Sequence, residues 1–347
     1  MSGFTSLEVL EVRRETPDAV SIRFAYPAEA PERFRFLPGQ YLTLKLNDAV
    51  RRSYSICASP DDGELRVAVK RVPGGVFSGF ANEALRPGTS LDVAPPEGRF
   101  TVPVEPTKSK RYLAIAAGSG ITPILSVVKT VLEREPQSRV LLLYGNRTSG
   151  DILFAEALED LKNRFLGRFT LIHILSREAQ DVPVLNGRID EVKIRTFAAQ
   201  LGNIDYALIC GPAAMATMAR DTLLDHGLAS ERIKTELFLA PDAPAQTATQ
   251  PVAVGAEIEA VLDGKRLRFT FAPDDTGVVD AALRQGLDLP YSCKGGMCCT
   301  CRAKLVEGEA EMTLNYSLEA WEIEAGFVLA CQARPKSARL VLDFDHV

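Results

Sequence analysis

Histidine is scarce in this chain of 347 residues. His173, His226 and His346 lie far apart, form no constellation with one another or with cysteine, and read as structural or solvated. Charge of one sign is also lacking. A net charge of -5 argues against a protein built to hold nucleic-acid phosphates or an anionic membrane surface. No long apolar run survives intact: the longest, Tyr112 to Val128, is broken by Gly118, Ser119, Gly120 and Pro123, which excludes a membrane span. There is no internal repeat, and no charged-then-apolar segment at the N-terminus. No secretory leader is therefore expected, and the compartment is expected to be the reducing cytoplasm.

What is present points to several soluble domains. The length suits two or three, and 46% hydrophobic with 24% charged residues suits sizeable cores. Seven cysteines are placed unevenly: Cys57 and Cys210 stand alone, and five fall between Cys293 and Cys331. An odd count so distributed does not read as a disulfide framework.

Patterning divides the chain. Residues 1–106 show short strands separated by Pro38-Gly39, Asp62-Gly63, Pro73-Gly74-Gly75 and Pro87-Gly88, which predicts a closed antiparallel β-barrel. Residues 107–239 alternate apolar strands with helices, which predicts an α/β domain on a parallel sheet. Residues 240–254, rich in Pro, Ala, Thr and Gln, have the composition of a linker. Residues 255–347 read as a small α+β unit. They carry fifteen acidic and ten basic residues, so the whole net charge sits there.

Within that last unit runs Cys293-Lys-Gly-Gly-Met-Cys298-Cys299-Thr-Cys301, with Cys331 thirty positions further on. Cys293, Cys298 and Cys301 give C-x4-C-x2-C, and Cys331 supplies a distant fourth thiolate. This is the plant-type spacing for a [2Fe–2S] cluster. Gly295 and Gly296 allow the loop to wrap, so that its amides can face the sulfurs. A structural zinc site is the bland alternative, but it would prefer paired C-x2-C knuckles. Cys299 breaks the spacing and reads as a non-ligating neighbour, and Cys57 as a packing residue.

Two further sets of residues are weak singly. Arg52-Ser53-Tyr54-Ser55 lies in a strand-like segment, and Gly74-Gly75-Val76-Phe77-Ser78 opens a helix. Alone, these would be a solvated arginine and a glycine turn. In this order they resemble the flavin domain of the ferredoxin–NADP reductase superfamily. The resemblance implies FAD, with Arg52 and the 74–78 turn on the pyrophosphate, Tyr54 against the isoalloxazine ring and Ser55 near N5. Downstream, Gly118-Ser119-Gly120-Ile-Thr122-Pro123 joins a strand to a helix, with Thr122 suited to the N-cap and Pro123 to the first helical position. This is not the usual G-x-G-x-x-G fingerprint. The same superfamily has this shorter turn, together with a Cys-Gly-Pro after a later strand, here Cys210-Gly211-Pro212 after the strand expected at Asp205 to Ile209. The resemblance puts Cys210 beside a nicotinamide, where the bland reading is a core cysteine. It gives Glu236 an acidic role at the end of the reductase module, where the bland reading is a solvated edge. Ser176-Arg177 suits the 2′-phosphate of NADPH. The adjacent Glu178 keeps NADH in play.

The cluster region, with its Cys298-Cys299 doublet and the Met312 to Glu319 segment, resembles the reductases of phenylacetyl-CoA epoxidase systems within that superfamily. The resemblance implies a plant-type β-grasp ferredoxin domain at the C-terminus. It also implies electron flow from NADPH through FAD and the cluster to an oxygenase component, a di-iron multi-subunit epoxidase. The same machinery serving a ring-hydroxylating dioxygenase or a cytochrome P450, and a non-catalytic redox sensor, are the alternatives. No nucleic-acid or membrane partner is expected.

Overall fold

The computed structural model describes residues 3–27, 29–47, 50–238, 253 and 255–346. The expected linker at 240–254 falls almost wholly outside them. The chain forms two compact units, Met1–Pro241 and Asp242–Val347.

The first unit opens with six antiparallel strands: β1 (Thr5–Thr16), β2 (Ala19–Phe24), β3 (Tyr41–Asn47), β4 (Val50–Ser55), β5 (Leu65–Lys70) and β6 (Ser90–Val93). Their order is β4-β3-β6-β1-β2-β5. The ring closes where the chain leaving β4 meets β5, through an Ile56–Val67 bridge and a Cys57 N to Arg66 O bond of 2.9 Å. That closure is the barrel expected from the turn spacing. Val9, Ile22, Leu42, Leu44, Val67 and Val69 fill it, and helix α1 (Val76–Glu83) adds Phe77.

The second half of this unit is a five-stranded sheet of order β11-β10-β7-β8-β9. It contains β7 (Arg111–Ala117), β8 (Arg139–Asn146), β9 (Phe169–Leu175), β10 (Tyr206–Pro212) and β11 (Ile233–Phe238), all parallel. Strands covered on both faces read as continuous apolar runs, as β7 and β10 do. Helices α2 (Ile121–Arg134) and α3 (Ala155–Arg164) cover one face, and α4 (Glu191–Leu201) and α5 (Ala213–Asp225) the other. Eleven of the fourteen residues of α2 are buried. This helix is wrapped on nearly all sides because its core takes in Ala19, Cys57, Ala68, Phe100 and Val102 from the barrel half.

Two details differ from the sequence expectations. Thr122 does not cap α2: Gly118–Gly120 form a 3-10 turn that runs directly into the helix, so the cap moves back to Gly120. Thr122 Oγ1 instead donates to Ser119 O at 3.0 Å, and Pro123 sits in the first turn, where its missing N–H costs no bond. Cys210-Gly211-Pro212 does not follow a strand but forms the end of β10, paired with Glu236, Leu237 and Phe238 of β11.

The second unit is a mixed sheet of order β13-β12-β18-β14-β16. It is made of β12 (Glu257–Leu262), β13 (Lys265–Thr270), β14 (Arg302–Glu307), β16 (Phe327–Leu329) and β18 (Arg339–Asp343), with β12 and β18 parallel. Helix α6 (Val278–Arg284) packs on it, a small pair β15 (Ala310–Met312) and β17 (Ala333–Pro335) flanks it, and α7 (Ala320–Glu324) precedes β16. A helix held across such a sheet is the β-grasp arrangement.

Candidate functional site

Parallel strands end on one edge, and ligands of open α/β sheets bind beyond that edge. Here it gathers the Gly118–Gly120 turn after β7, Arg147 after β8, Ser176-Arg177 after β9, Cys210 to Pro212 on β10 and Glu236 on β11. Gly120 has a packing reason. A Cβ there would lie 2.2 Å from Cys210 O, so only glycine lets the turn reach β10. Tyr144 Oη donates to Gly118 O at 3.0 Å and pins the turn from β8.

The barrel meets this edge at Ser55, whose Oγ donates to Glu236 Oε2 at 3.0 Å. Residues 181 positions apart thus share one site, and Cys210 is the register partner of Glu236. Glu236 retains some surface exposure. Loss of hydration nevertheless pushes its carboxyl up to about 7, against the lowering effect of the Ser55 bond. Cys210 is fully buried, and burial first, then the neighbouring Glu236, pushes its thiol well up. This places a neutral thiol and a readily protonated carboxyl together. Cys57, also buried, is pushed up to about 12 and donates to Arg66 O, a packing residue.

On the barrel side, Tyr54 packs 5.3 Å from the Phe77 ring, at a tilt of 35°. Ser53 faces Thr43. Gly75 caps α1, and Val76 is exposed at its start. Ser78 closes the turn itself, accepting from Val72 N at 3.1 Å and donating to Gly75 O at 3.3 Å. The exposed Arg52 bonds Arg51 O at 2.6 Å. The cation, the helix start and the packed ring fit a flavin phosphate and ring system.

At the far end of the edge, Ser176 and Arg177 are exposed. Arg177 N bonds Arg147 O at 2.8 Å, which brings a second exposed arginine alongside on the neighbouring backbone. Sequence reading missed Arg147, because only strand pairing puts it beside Arg177. Glu178 is engaged elsewhere, accepting from Ser149 N and Oγ at 2.8 and 2.9 Å.

In the second unit, Cys301 and Cys331 are buried, and Cys293 and Cys298 partly so. Cys298 lies beside Cys293, and Cys301 beside Cys331. Among the described residues no group of three or more His, Cys, Asp or Glu side chains is arranged as a single metal-ion site. Four thiolates from a C-x4-C-x2-C loop and one distant cysteine are the donor set a [2Fe–2S] cluster takes. The neighbouring Cys298, with the amides of Gly295, Met297 and Cys298, holds the Cys293 thiol below its ordinary value against its burial. The Gly295 amide lies 3.3 Å from Cys293 Sγ. Gly296, at φ 73°, passes so close to Leu314 O that a Cβ would sit 2.9 Å from it. Lys294 and Cys299 also take positive φ, which side chains tolerate poorly, as a loop shaped around a group requires. Gln332 joins the set, bonding Lys294 O at 2.7 Å and reaching Cys331 Sγ at 3.8 Å.

A barrel joined to the carboxyl edge of a parallel sheet, with a four-cysteine β-grasp unit after it, defines a flavin- and iron–sulfur-dependent electron-transfer reductase. Residues 6–102 match the oxidoreductase FAD-binding domain family, 114–221 the oxidoreductase NAD-binding domain family, and 260–336 the 2Fe-2S iron-sulfur cluster binding domain family. The chain is 45% identical to a subunit of the 1,2-phenylacetyl-CoA epoxidase of Escherichia coli (strain K12), over 99% of both chains. It is 33% identical to the ferredoxin reductase component of 3-ketosteroid-9-alpha-monooxygenase from Rhodococcus rhodochrous, over 97% of this chain and 96% of that one. In fold it matches phthalate dioxygenase reductase with a TM-score of 0.61 at 22% identity, covering 99% and 98% of the two chains. It also matches an intact type IV self-sufficient cytochrome P450 monooxygenase, with a TM-score of 0.70 at 20% identity. There it covers 98% of this chain but 41% of that longer one. The chain belongs to the family of oxygenase reductase components that includes this phenylacetyl-CoA epoxidase subunit.

Proposed function

We propose that the chain takes electrons from NADPH and delivers them to the di-iron oxygenase component of a phenylacetyl-CoA epoxidase. Residues 1–106 would hold FAD, 107–239 the nicotinamide, and 255–347 the cluster, on Cys293, Cys298, Cys301 and Cys331. Bound FAD exchanges a two-electron hydride for single electrons, which the cluster carries one at a time. The chain's own part is binding and orientation. Arg52 and the start of α1 at Gly74–Ser78 anchor the flavin pyrophosphate, and Tyr54 packs against its ring. The Gly118–Gly120 turn and the Gly211-Pro212 stretch give backbone access to the nicotinamide nucleotide. Cys210 and Ser55 flank the point of transfer, where Glu236, protonated below about pH 7, keeps a proton on hand at Ser55 Oγ.

The observation that carries this reading is the Ser55–Glu236 bond, which unites the barrel motif with the nucleotide edge of the sheet. NADPH is favoured over NADH because Arg147 stands beside Arg177 while Glu178 is occupied by Ser149. The epoxidase is favoured as acceptor by the 45% identical relative, which is itself a subunit of that enzyme. The acidic C-terminal unit would suit a basic surface on the acceptor. Absence of any membrane-length apolar helix among the described residues agrees with a partner met in solution, and we place this reaction in the cytoplasm.

The test is NADPH oxidation coupled to phenylacetyl-CoA consumption after the oxygenase subunits of the E. coli epoxidase are added. Stoichiometric coupling supports the reading. Coupling only to a ketosteroid or ring-hydroxylating oxygenase would refute the acceptor while leaving the reductase chemistry intact.

A further inference from the structure

Helix α2 links the flavin-side and nicotinamide-side residues along its whole length. It starts at the Gly118–Gly120 turn, and further along it reaches the segment that continues β4 beyond Ser55. Fully buried Ser126 donates from Oγ to Ala58 O at 2.6 Å. Thr130, also fully buried, lies 3.2 Å from Ser59 Oγ and donates to Ser126 O at 2.7 Å. Lys129 pairs with Asp62 at 2.5 Å, and Arg134 grips Asp61 through two bonds of 2.6 Å. Just past the helix, the buried Glu135 carboxylate receives Glu105 N, Lys110 Nζ, Tyr112 Oη and Ser138 Oγ at 2.6 to 3.0 Å. It thereby ties down the stretch that leads from the barrel into β7.

Apolar contacts are non-directional, whereas a buried hydroxyl must meet its acceptor at a defined distance and angle. The bonds of Ser126 and Thr130 fall three and four residues beyond Ser55. The Ser55–Ser59 stretch is thus fixed at one end by β11 and at the other by α2.

We propose that Ser126 and Thr130, supported by Lys129, are positioning residues for hydride transfer. Through Ala58 and Ser59 they set the distance from the Gly118–Gly120 turn to Ser55, and so between nicotinamide and flavin. The step moves one proton with two electrons, as hydride, from C4 of the reduced nicotinamide to N5 of the oxidised flavin. Its rate depends steeply on that separation, and a misplacement of about 1 Å costs on the order of a hundredfold. The proposal rests on the flavin and nicotinamide reading given above.

The experiment uses the full chain loaded with flavin and cluster, mixed anaerobically with NADPH in a stopped-flow instrument. In the Ser126→Ala/Thr130→Val double variant the rate constant for flavin bleaching at saturating NADPH falls about tenfold or more. The long-wavelength absorbance of the stacked flavin–nicotinamide pair weakens, while the half-saturating NADPH concentration and the cluster spectrum stay at wild-type values. An unchanged rate constant and absorbance, in a variant whose unfolding midpoint has dropped, overturns the proposal, because the bonds would then serve stability alone. If the double variant does not accumulate as folded protein, Lys129→Met is measured in the same way, and an unchanged rate constant there overturns it too. A wild-type protein whose flavin NADPH fails to bleach refutes the underlying site reading instead, before any variant is compared.

Discussion

Glu236 shows how one residue can carry a measurable signature of the site. Its carboxyl is pushed from the ordinary 4.5 to about 7 because burial beside Cys210 disfavours the charged form more than the Ser55 bond favours it. The sign follows from linkage. Below pH 4.5 the group is protonated whether folded or unfolded; between 4.5 and about 7 the unfolded chain ionises first, so the folded state loses stability as pH rises. Glu236→Gln removes this loss. The unfolding free energy of wild type minus that of the variant should therefore fall across that window and level off above it. A flat difference in urea titrations would show that the carboxyl is not held protonated. Arg177 gives a second residue-scale prediction: Arg177→Ala should raise the half-saturating NADPH concentration about tenfold or more and leave NADH nearly unchanged, since a charge-assisted bond is worth about 1.5–3 kcal/mol. Equal effects on both nucleotides in steady-state kinetics would remove the 2′-phosphate assignment. The candidate residues were legible in the sequence to different degrees. Cys293, Cys298 and Cys301 lie close together in a plant-type spacing, so the sequence alone nominates them, with the more distant Cys331, as cluster ligands. Ser55 and Glu236 are 181 residues apart, and nothing local in either segment announces the other.

At the scale of elements, the turn before α2 is the part most sensitive to a small change. Gly120→Ala would place a methyl 2.2 Å from Cys210 O, and neither backbone can yield cheaply because Gly118 is held by Tyr144 and Cys210 by both neighbouring strands. The expected outcome is a loss of nicotinamide binding of about tenfold or more with flavin content retained, read by equilibrium titration of NADP+ against flavin absorbance. Retained affinity would mean that the turn does not contact the nucleotide. Elements were read well where periodicity or punctuation marks them: the barrel's turns, the apolar β7 and β10, and the helix after Gly75. The start of α2 was misread because Thr122-Pro123 imitates a cap and first helical residue, while the preceding glycines had already wound into a 3-10 turn. The end of β10 was placed too early because Gly-Pro reads as a break. Pro212 keeps its place through pairing with Phe238 at the strand terminus.

For the molecule as a whole, three cofactor-binding segments in series account for the length, and the cysteine distribution marks the one that passes single electrons outward. Charge follows the same division, with the whole imbalance in the last 93 residues. Electrons entering from NADPH are proposed to reach a cluster held by Cys293, Cys298, Cys301 and Cys331. Anaerobic reduction of the fully loaded protein by NADPH, followed by electron paramagnetic resonance at low temperature, tests that route. Wild type and Cys299→Ser should both develop the signal of a reduced [2Fe–2S] cluster, whereas Cys298→Ser should bleach its flavin and show no such signal. A signal that persists in Cys298→Ser, or disappears in Cys299→Ser, would rule out this set of ligands.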